Sequence, residues 1–221
     1  MAVFGPQLRI AESWLAAAEG NVSAAIELAL DAARLAAESN QTAIEMLALH
    51  DAVRFGDQTC LDRLAELASN TGGRLASAIG AHTRAVRDHD AVKMCEAAKQ
   101  FEQVGALLSA ADAYAQSAVV AEACDDRRRS VEAAAAATRL AAECGGIRTP
   151  ALELAAHPLP LTVREREIAN LVAAGLSNKD IADRLVVSVR TVEGHLYRAC
   201  IKLDISDRED LATMIRTGAT A

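Results

Sequence analysis

The first 145 residues carry apolar side chains at helical spacing, and short polar stretches interrupt this pattern at regular intervals. Each stretch holds an Asn or Asp that is suited to capping the next helix, because its side-chain oxygen accepts bonds from unpaired backbone N–H groups. These residues follow one another at intervals of 36, 33 and 36 positions: Asn21, Asp57, Asp90 and Asp126. Further junctions near Asn40, Gly72 and Gly105 divide each interval into two helices. The pattern therefore predicts an array of helical hairpins.

Residues 160–221 have a different pattern, which predicts short and strongly capped helices. Thr162 and Glu165 have the spacing of a capping box, in which each side chain bonds the backbone N–H group of the other residue. Gly175 is suited to ending this first helix, because glycine adopts the left-handed conformation at little cost. Ser177 and Asp180 repeat the capping box and predict the start of a second helix.

The third helix of this segment has one apolar and one polar face. Ser188 is its predicted cap, and it is expected to end at about Leu203. Its inward residues recur at spacings of 4, 3 and 4: Val192, Leu196, Ala199 and Leu203. Val186–Val187 is the predicted turn from the second helix, and Asp207 caps a fourth. Two short helices joined by a tight turn are typical of a helix-turn-helix, which lays its second helix in the DNA major groove.

Glycine and proline separate the two parts of the chain. Gly145–Gly146 is followed by three prolines, and a proline inside a helix loses a hydrogen bond and clashes with the preceding turn. We therefore predict a linker over residues 146–159, with a short helix around Ala151–Ala156. No alternating strand pattern is found, so the predicted fold class is all-α, with one domain over residues 1–145 and another over 160–221.

The segment from Leu161 to Leu211 closely resembles the DNA-binding domain of LuxR/FixJ/NarL-type regulators. That family's pattern begins with L-T-x-R-E, continues through G-x-S-N-x-x-I-A-x-x-L-x-x-S, and ends with T-V-x-x-H and K-L. The chain matches it at Leu161, Thr162, Arg164, Glu165, Gly175, Ser177, Asn178, Ile181, Ala182, Leu185, Ser188, Thr191, Val192, His195, Lys202 and Leu203. The resemblance implies a four-helix, LuxR-type helix-turn-helix domain that reads promoter DNA as a dimer.

The resemblance also implies roles for individual residues. The helix from Ser188 to Leu203 would be the recognition helix in the major groove. The phosphate anchors would be Ser177, Asn178, Arg190, Thr191 and Lys202. The base-reading positions would be Glu193, Gly194 and Tyr197. The expected DNA-binding set is completed by Lys179, Ser188, His195 and Arg198. The fourth helix would supply the dimer contact through Leu211, Met214 and Ile215.

Two base-reading positions depart from the family's usual long polar donors. Glu193 accepts a hydrogen bond from a cytosine amino group, but its charge repels phosphate, and Gly194 has no side chain. We therefore expect modest affinity, steep salt dependence and a need for dimerisation on paired half-sites.

The N-terminal array resembles the tetratricopeptide repeat in its period. Residues Gly20 to Ala25 match that repeat best, whereas its other aromatic and proline positions are missing, so an irregular helical bundle remains the alternative. An array followed by this DNA-binding domain resembles the C-terminal end of the large ATP-binding LuxR regulators of the MalT-like group. The chain has no P-loop motif. The prediction is thus a C-terminal fragment of such a regulator or a short relative.

Charge and cysteine content limit the function further. Residues 160–221 hold nine basic and nine acidic side chains, so the net charge of −7 belongs to the array. A neutral domain still presents a basic face when its charges are segregated. Five cysteines without C-x-x-C spacing predict buried free thiols in a reducing, cytoplasmic setting. No apolar run reaches the roughly 18 residues of a membrane span.

Other chemistry is weakly supported. His195 lacks partners at zinc-ligand spacing, so we predict no metal site and no cofactor. The basic run Arg127–Arg129 follows two aspartates and is interpreted as a self-paired, solvated turn. Trp14 and Tyr114 are interpreted as core residues. No catalytic signature is present, and an enzyme is not predicted.

The leading hypothesis is a transcription regulator whose array senses a protein or small-molecule effector. The alternative is a protein-interaction adaptor in which the helix-turn-helix binds DNA weakly or serves only for dimerisation. A further hypothesis is that the acidic array packs on the recognition helix and releases it when a partner binds.

Overall fold

The computed structural model describes residues 4–156 and 161–217. Within these ranges it contains thirteen α-helices and no strand, which confirms the predicted all-α fold class. In chain order the helices are α1 (Gly5–Ala18), α2 (Val22–Glu38), α3 (Thr42–Phe55), α4 (Leu61–Asn70), α5 (Arg74–Arg87), α6 (Ala91–Gln103), α7 (Leu107–Ala123), α8 (Arg127–Glu143), α9 (Pro150–Ala156), α10 (Val163–Ala173), α11 (Asn178–Arg184), α12 (Val189–Leu203) and α13 (Arg208–Thr217). None of the helices in these ranges combines the length and the apolar character needed to cross a membrane.

Helices α1 to α8 begin and end close to the predicted breaks, and each packs against the next along the chain. Three of the four predicted caps, Asn21, Asp90 and Asp126, accept backbone N–H groups in the first turn of their helices. Asp57 is different, because its carboxylate bonds backbone N–H groups of the loop and the α4 N-cap is Cys60. Gly56 has a φ of +109° and ends α3, as the left-handed C-cap position favours glycine.

Alanine dominates the array core. Large side chains are few, and those with almost no exposed surface include Phe101, Leu64, Ile79 and Leu140. Tyr114 is buried and Trp14 packs edge-on against Phe55, in agreement with their predicted core roles. The small alanine side chains let neighbouring helices approach closely, so the core is filled largely by methyl groups and helix backbone.

The cysteine prediction needs correction. Cys60 is buried, but Cys95, Cys144 and Cys200 are half-buried and Cys124 is exposed, although all five are free. Cys124 is exposed because it is the C-cap of α7, where the chain turns toward solvent. The basic run behaves as predicted, since Arg129 pairs with Asp126 at the start of α8.

The array core also contains a buried ionic cluster, which we define as Arg54, Asp51 and Asp112. The Arg54 guanidinium donates to Asp51 at 2.7 Å and to Asp112 at 2.8 Å. It also lies 4.5 Å from the centroid of the Trp14 ring. Burial raises the pKa of both carboxyl groups, and the positive charge of Arg54 opposes that shift.

The short helix expected inside the linker is present as α9, and it packs on α7 rather than standing apart. Ala151 is buried in the array core, and the Thr149 hydroxyl donates to Asp112 of the ionic cluster. The end of the predicted linker, with Pro158 and Pro160, lies outside the described residues.

Helices α10 to α13 form a separate apolar core, and we call this part the C-terminal module. Its interior consists mainly of branched aliphatic side chains, of which Ile168, Ile181, Val192 and Leu211 have no exposed surface. These residues include the predicted inward positions of α10, α11 and α12, so the helical periodicity identified this core correctly.

Candidate DNA-binding interface

The ends of the helices in the C-terminal module are fixed by side-chain caps. Thr162 with Glu165 and Ser177 with Asp180 both form complete capping boxes at the starts of α10 and α11. The Ser188 hydroxyl accepts the backbone N–H of Thr191 and caps α12. Asp207 accepts the backbone N–H groups of Glu209 and Asp210 at the start of α13. All four predicted caps are therefore confirmed, and they set the direction in which each helix leaves its turn.

The turn between α11 and α12 has an unusual backbone. Val186 has a φ of +52° and its side chain is 90% exposed. A β-branched residue is rarely left-handed, because its side chain crowds the backbone there. The Val187 N–H donates to the Ala182 carbonyl at 3.0 Å and closes the turn. The turn thus fixes the angle between α11 and α12, which gives the helix-turn-helix its shape.

The outer face of α12 is open to solvent. Its exposed residues include Arg190, Thr191, Glu193, Tyr197 and Arg198. Tyr197 is 70% exposed and Ile201 is 61% exposed, which is a large apolar area for one helix face. Gly194 and His195 lie on the same helix and are half-buried. The three expected base-reading positions therefore lie together on one accessible surface.

His195 is positioned by its neighbours within the module. Arg198 Nη2 lies 3.0 Å from His195 Nδ1, and burial together with the charges of Arg198 and Arg164 lowers the pKa of His195. A neutral imidazole at pH 7 follows, so His195 does not add a positive charge to the face of α12.

Lys202 lies in a different environment from the one expected of a phosphate anchor. Its Nζ donates to Glu165 Oε2 at 2.7 Å, and Glu165 itself is 2% exposed. Burial opposes ionisation of Glu165, but bonds from Lys202 and Thr162 outweigh it and lower the pKa of that carboxyl to about 2. Lys202 thus ties α12 to α10 and is partly committed to that contact.

The residues of the expected DNA-binding set at the starts of α11 and α12 fall into two groups. Ser177 and Ser188 use their hydroxyls as helix caps, and the Asn178 side chain accepts a hydrogen bond from Arg208. Lys179 and Arg190 are exposed and form no ion pair with any of the described residues. These two cations are therefore the residues of this set whose charge is available to a phosphate.

The expected dimer residues on α13 do not share one exposed surface. Leu211 has no exposed area and packs with Leu161, Ala169 and Ala199, so it is a core residue and its prediction as a dimer contact needs correction. Met214 and Ile215 are half-buried. Of the three expected residues, only Met214 and Ile215 have surface that a dimer contact on α13 could use.

The array contacts the C-terminal module at α10 and at the end of α11. The Ser23 backbone N–H and hydroxyl donate to the Glu167 carboxylate at 2.9 and 2.8 Å. Arg164 donates to both Ser23 and Glu167, and Arg184 pairs with Glu19 at 3.0 Å. Glu167 therefore satisfies one of the unpaired N–H groups at the start of α2.

This contact contradicts the hypothesis that the array covers the recognition helix. The array side chains above bond to α10 and to the end of α11, and the outward residues of α12 remain exposed. Sequence periodicity did not identify Ser23, Glu19 or Glu167, since each resembles an ordinary polar residue near a helix end.

Comparison with known proteins supports the reading of the C-terminal module. Residues 159–215 match the family model described as bacterial regulatory proteins, luxR family. An HTH-type transcriptional regulator of Mycobacterium tuberculosis is 53% identical over 51 residues, which are 23% of this chain and 6% of that protein. The oxygen regulatory protein NreC of Staphylococcus haemolyticus is 49% identical over 51 residues, 23% of this chain and 24% of its own length.

The transcriptional regulatory protein LiaR of Bacillus subtilis is 44% identical over 52 residues, 24% of this chain and 25% of its own length. The matched segment thus spans a quarter or less of each of these relatives. No solved structure matches the chain significantly. The module is therefore a LuxR-type helix-turn-helix, and the similarity to named transcriptional regulators supports a DNA-binding regulator.

Proposed function

We propose that this chain is a transcription regulator that binds promoter DNA by laying α12 in the major groove, as a homodimer on paired half-sites. The observation that carries this proposal is the exposed outer face of α12 in a module that matches the luxR family. Glu193, Gly194 and Tyr197 are the proposed base-reading positions, and Lys179 and Arg190 are the proposed principal phosphate contacts.

The proposed DNA affinity depends on a small number of positive charges. Lys202 and Arg198 both lie near Glu165, with Arg198 Nε 3.6 Å from its carboxylate, so their charge is partly neutralised within the module. Glu193 adds a negative charge to the reading face. Binding by one module is therefore expected to be weak, and two modules on adjacent half-sites supply the affinity that one lacks.

The N-terminal array is proposed as the part that receives a signal from a protein or small-molecule effector. Its period of helical hairpins and its direct bonds to α10 support this role. The resemblance to tetratricopeptide repeats and to MalT-like regulators remains a proposal, as does the division of the chain into domains at residues 145 and 160.

The test is a random-sequence duplex selection with the purified chain, followed by affinity measurements over a salt series. The double variant Lys179→Ala/Arg190→Ala should weaken binding to every selected duplex and reduce the slope of log affinity against log salt by about 2, roughly 1 per lost phosphate contact. Lys93→Ala, an exposed change on the array, is the matched control and should leave both quantities unchanged.

Failure to retain any duplex at low salt would contradict the proposal and favour the adaptor function. If a duplex is selected but the double variant has the same salt slope as the unaltered chain, then the protein binds DNA and Lys179 and Arg190 do not contact the phosphates. Dimerisation is tested separately by sedimentation with and without a duplex that carries two half-sites.

A further inference from the structure

Two neighbouring apolar side chains lie on the open face of α12. Tyr197 and Ile201 are both largely exposed, and they are four residues apart on this helix. Residues four apart in a helix are neighbours on its surface, so the two side chains form one continuous apolar patch, which we call the apolar pair. A single exposed apolar residue is ordinary, whereas adjacent ones favour a contact surface.

The apolar pair lies at the centre of the outward surface of α12. At 3.6 residues per turn, four outward positions fall within an arc of about 60°, opposite the buried side of the helix. These positions are Arg190, Gly194, Tyr197 and Ile201. Arg190 is exposed and forms no ion pair with the described residues. A partner that covers this arc therefore meets an unpaired cation at one end and the apolar pair at the other.

Gly194 opens the surface between Arg190 and the apolar pair. An added Cβ at Gly194 would meet only Arg198 Nη1, at 3.8 Å, so no neighbour within the module requires a glycine there. Because glycine has no side chain, a partner is able to approach the backbone of α12 closely at this turn. A close approach brings the flanking side chains within reach of groups that lie deep in a groove.

The second half of this face offers no unpaired positive charge. Arg198 and Lys202 flank the apolar pair, but both lie near the Glu165 carboxylate, at 3.6 and 2.7 Å. A guanine is most commonly read in the major groove by Arg or Lys, and the arc holds neither after Arg190. The apolar group that base edges present in the major groove is the C5-methyl group of thymine. The chemistry of this half therefore matches thymine rather than guanine.

We propose that the apolar pair reads thymine, by packing on the C5-methyl groups of the base pairs that lie under the second half of α12. This inference rests on the proposed function, in which α12 lies in the major groove, and it adds the class of base that this half of the helix selects. DNA fits the whole arc, because it supplies a phosphate for Arg190 and methyl groups for the apolar pair. A protein partner would instead cover the pair and compete with DNA.

The experiment uses the duplex obtained by random-sequence selection and replaces its thymines by deoxyuridine, one position at a time. This change removes only the methyl group and leaves the phosphates intact. For the unaltered chain, at least one position should show a loss of affinity of about fourfold, the ratio that corresponds to roughly 0.8 kcal/mol for one buried methylene group. The slope of log affinity against log salt should stay the same, since no phosphate contact is lost.

Substitutions in the chain assign the methyl contact to the apolar pair. Ile201→Ala and Tyr197→Ala should each remove the preference for thymine over deoxyuridine at one position, so that the fourfold ratio falls toward one. Tyr197→Phe, which loses the hydroxyl but keeps the ring, should retain the preference that Tyr197→Ala loses. Val131→Ala is the matched control, because Val131 lies on α8 of the array and is 62% exposed, close to the 61% of Ile201. It should leave both the affinity and the ratio unchanged.

Three results would overturn this inference alone. Duplexes with deoxyuridine that bind as tightly as those with thymine at every position would exclude a methyl contact. An unaltered ratio in both alanine variants would assign the methyl contact to other residues. Loss of self-association in those variants, measured by sedimentation, together with unaltered affinity for the duplex would identify the apolar pair as a protein contact. A chain that retains no duplex at all would overturn the proposed function as well.

Discussion

The array and the C-terminal module are both all-helical, but different interactions hold them together. The array core consists mainly of alanine, and its most specific contacts are polar: the buried ionic cluster and the adjacent His50–His82 pair. The module instead buries branched aliphatic residues and fixes its helices by caps near the surface. One region relies on a few interactions with large individual effects, whereas the other combines many smaller ones.

This difference has a physical origin in side-chain size. An alanine methyl group gains little from burial compared with the 1.5–3 kcal/mol, approximately, of a leucine or isoleucine, so an alanine core provides little specificity of packing. Buried charges have strict geometric needs and are strongly destabilising when one partner is lost. The array is therefore expected to respond sharply to single changes in its polar centre, and the module to respond gradually.

The largest effect is expected from Arg54→Met. This change leaves Asp51 and Asp112 buried without their cation, and breaking such a cluster costs about 3–5 kcal/mol. Denaturant unfolding followed by array signals should show the loss. Arg34→Met, which removes an exposed arginine paired with Asp31 and Glu38, is the matched control and should change the unfolding free energy little. Similar small losses in both variants would contradict the proposed dependence of the array on its ionic cluster.

The next effect is a pH dependence of the stability of the array. Burial lowers the pKa of His82 to about 4 and that of His50 well below its usual value. An unfolded histidine binds a proton near pH 6.5, whereas these buried histidines stay neutral to a lower pH. The unfolding free energy of the array is therefore unaffected above pH 6.5 and decreases as the pH falls toward 4. For His82 alone the loss between pH 7 and pH 5 is about 2 kcal/mol.

The raised pKa values of Asp51 and Asp112 act in the opposite direction, so the informative quantity is the difference between variants. His82→Gln should reduce the decrease in unfolding free energy between pH 7 and pH 5 by the part that His82 causes. His89→Gln, at an exposed turn, should leave that decrease unchanged. An unaltered pH dependence in His82→Gln would show that this histidine does not set the acid sensitivity of the array.

Glu165 should add an acid sensitivity to the module in a lower pH range. Glu165 has a pKa of about 2 against an ordinary value of 4.5, so its contribution is present above pH 4.5 and is lost as the pH falls toward 2. Lys202→Met should raise the pKa of Glu165 and cost the module about 1 kcal/mol at neutral pH, since a partly exposed ion pair is screened by water. Lys179→Met, which breaks no ion pair among the described residues, is the control. If Lys202→Met and Lys179→Met are equally stable, then the Lys202–Glu165 ion pair does not stabilise the module, and Lys202 is free to act as a phosphate anchor.

The sequence predicted the elements of both regions well, but it predicted their interactions unequally. Helix junctions and caps follow from local chemistry, and Asn21, Ser177 and Ser188 all act as caps where the pattern indicated them. Asp57 shows the limit of that reasoning, because an aspartate ahead of a helix serves equally well in a loop turn. Local rules identify a residue that is able to cap a helix. Asp57 does not cap α4, because the loop continues to Cys60 before the helix begins.

Long-range polar contacts were not predictable in this way. Arg54 and Asp112 are 58 positions apart and Ser23 and Glu167 are 144 apart, and no local spacing relates them. The exposed face of α12 was predicted by its periodicity, but the engagement of Lys202 with Glu165 and the burial of Leu211 depend on how α10, α12 and α13 pack together. The periodicity of a sequence distinguishes the buried face of a helix from its exposed face. It does not show which side chain a buried or half-buried residue contacts.

The smallest predicted effect compares a glycine within a helix of each region. A glycine in a helix costs about 0.5–1 kcal/mol relative to alanine because it loses more backbone freedom on folding. At Gly194 of α12 an added Cβ would meet only Arg198 Nη1 at 3.8 Å, so Gly194→Ala should stabilise the module by about that amount. At Gly80 of α5 the Cβ would lie 3.2 Å from the Ala68 Cβ, which is too close for the alanine-packed helices to accept without moving apart. Gly80→Ala should therefore give no gain or a loss, measured for both variants by thermal unfolding. Equal stabilisation at the two sites would mean that the array helices separate easily, and the contrast between a tightly spaced alanine array and a module built from larger side chains would then be wrong.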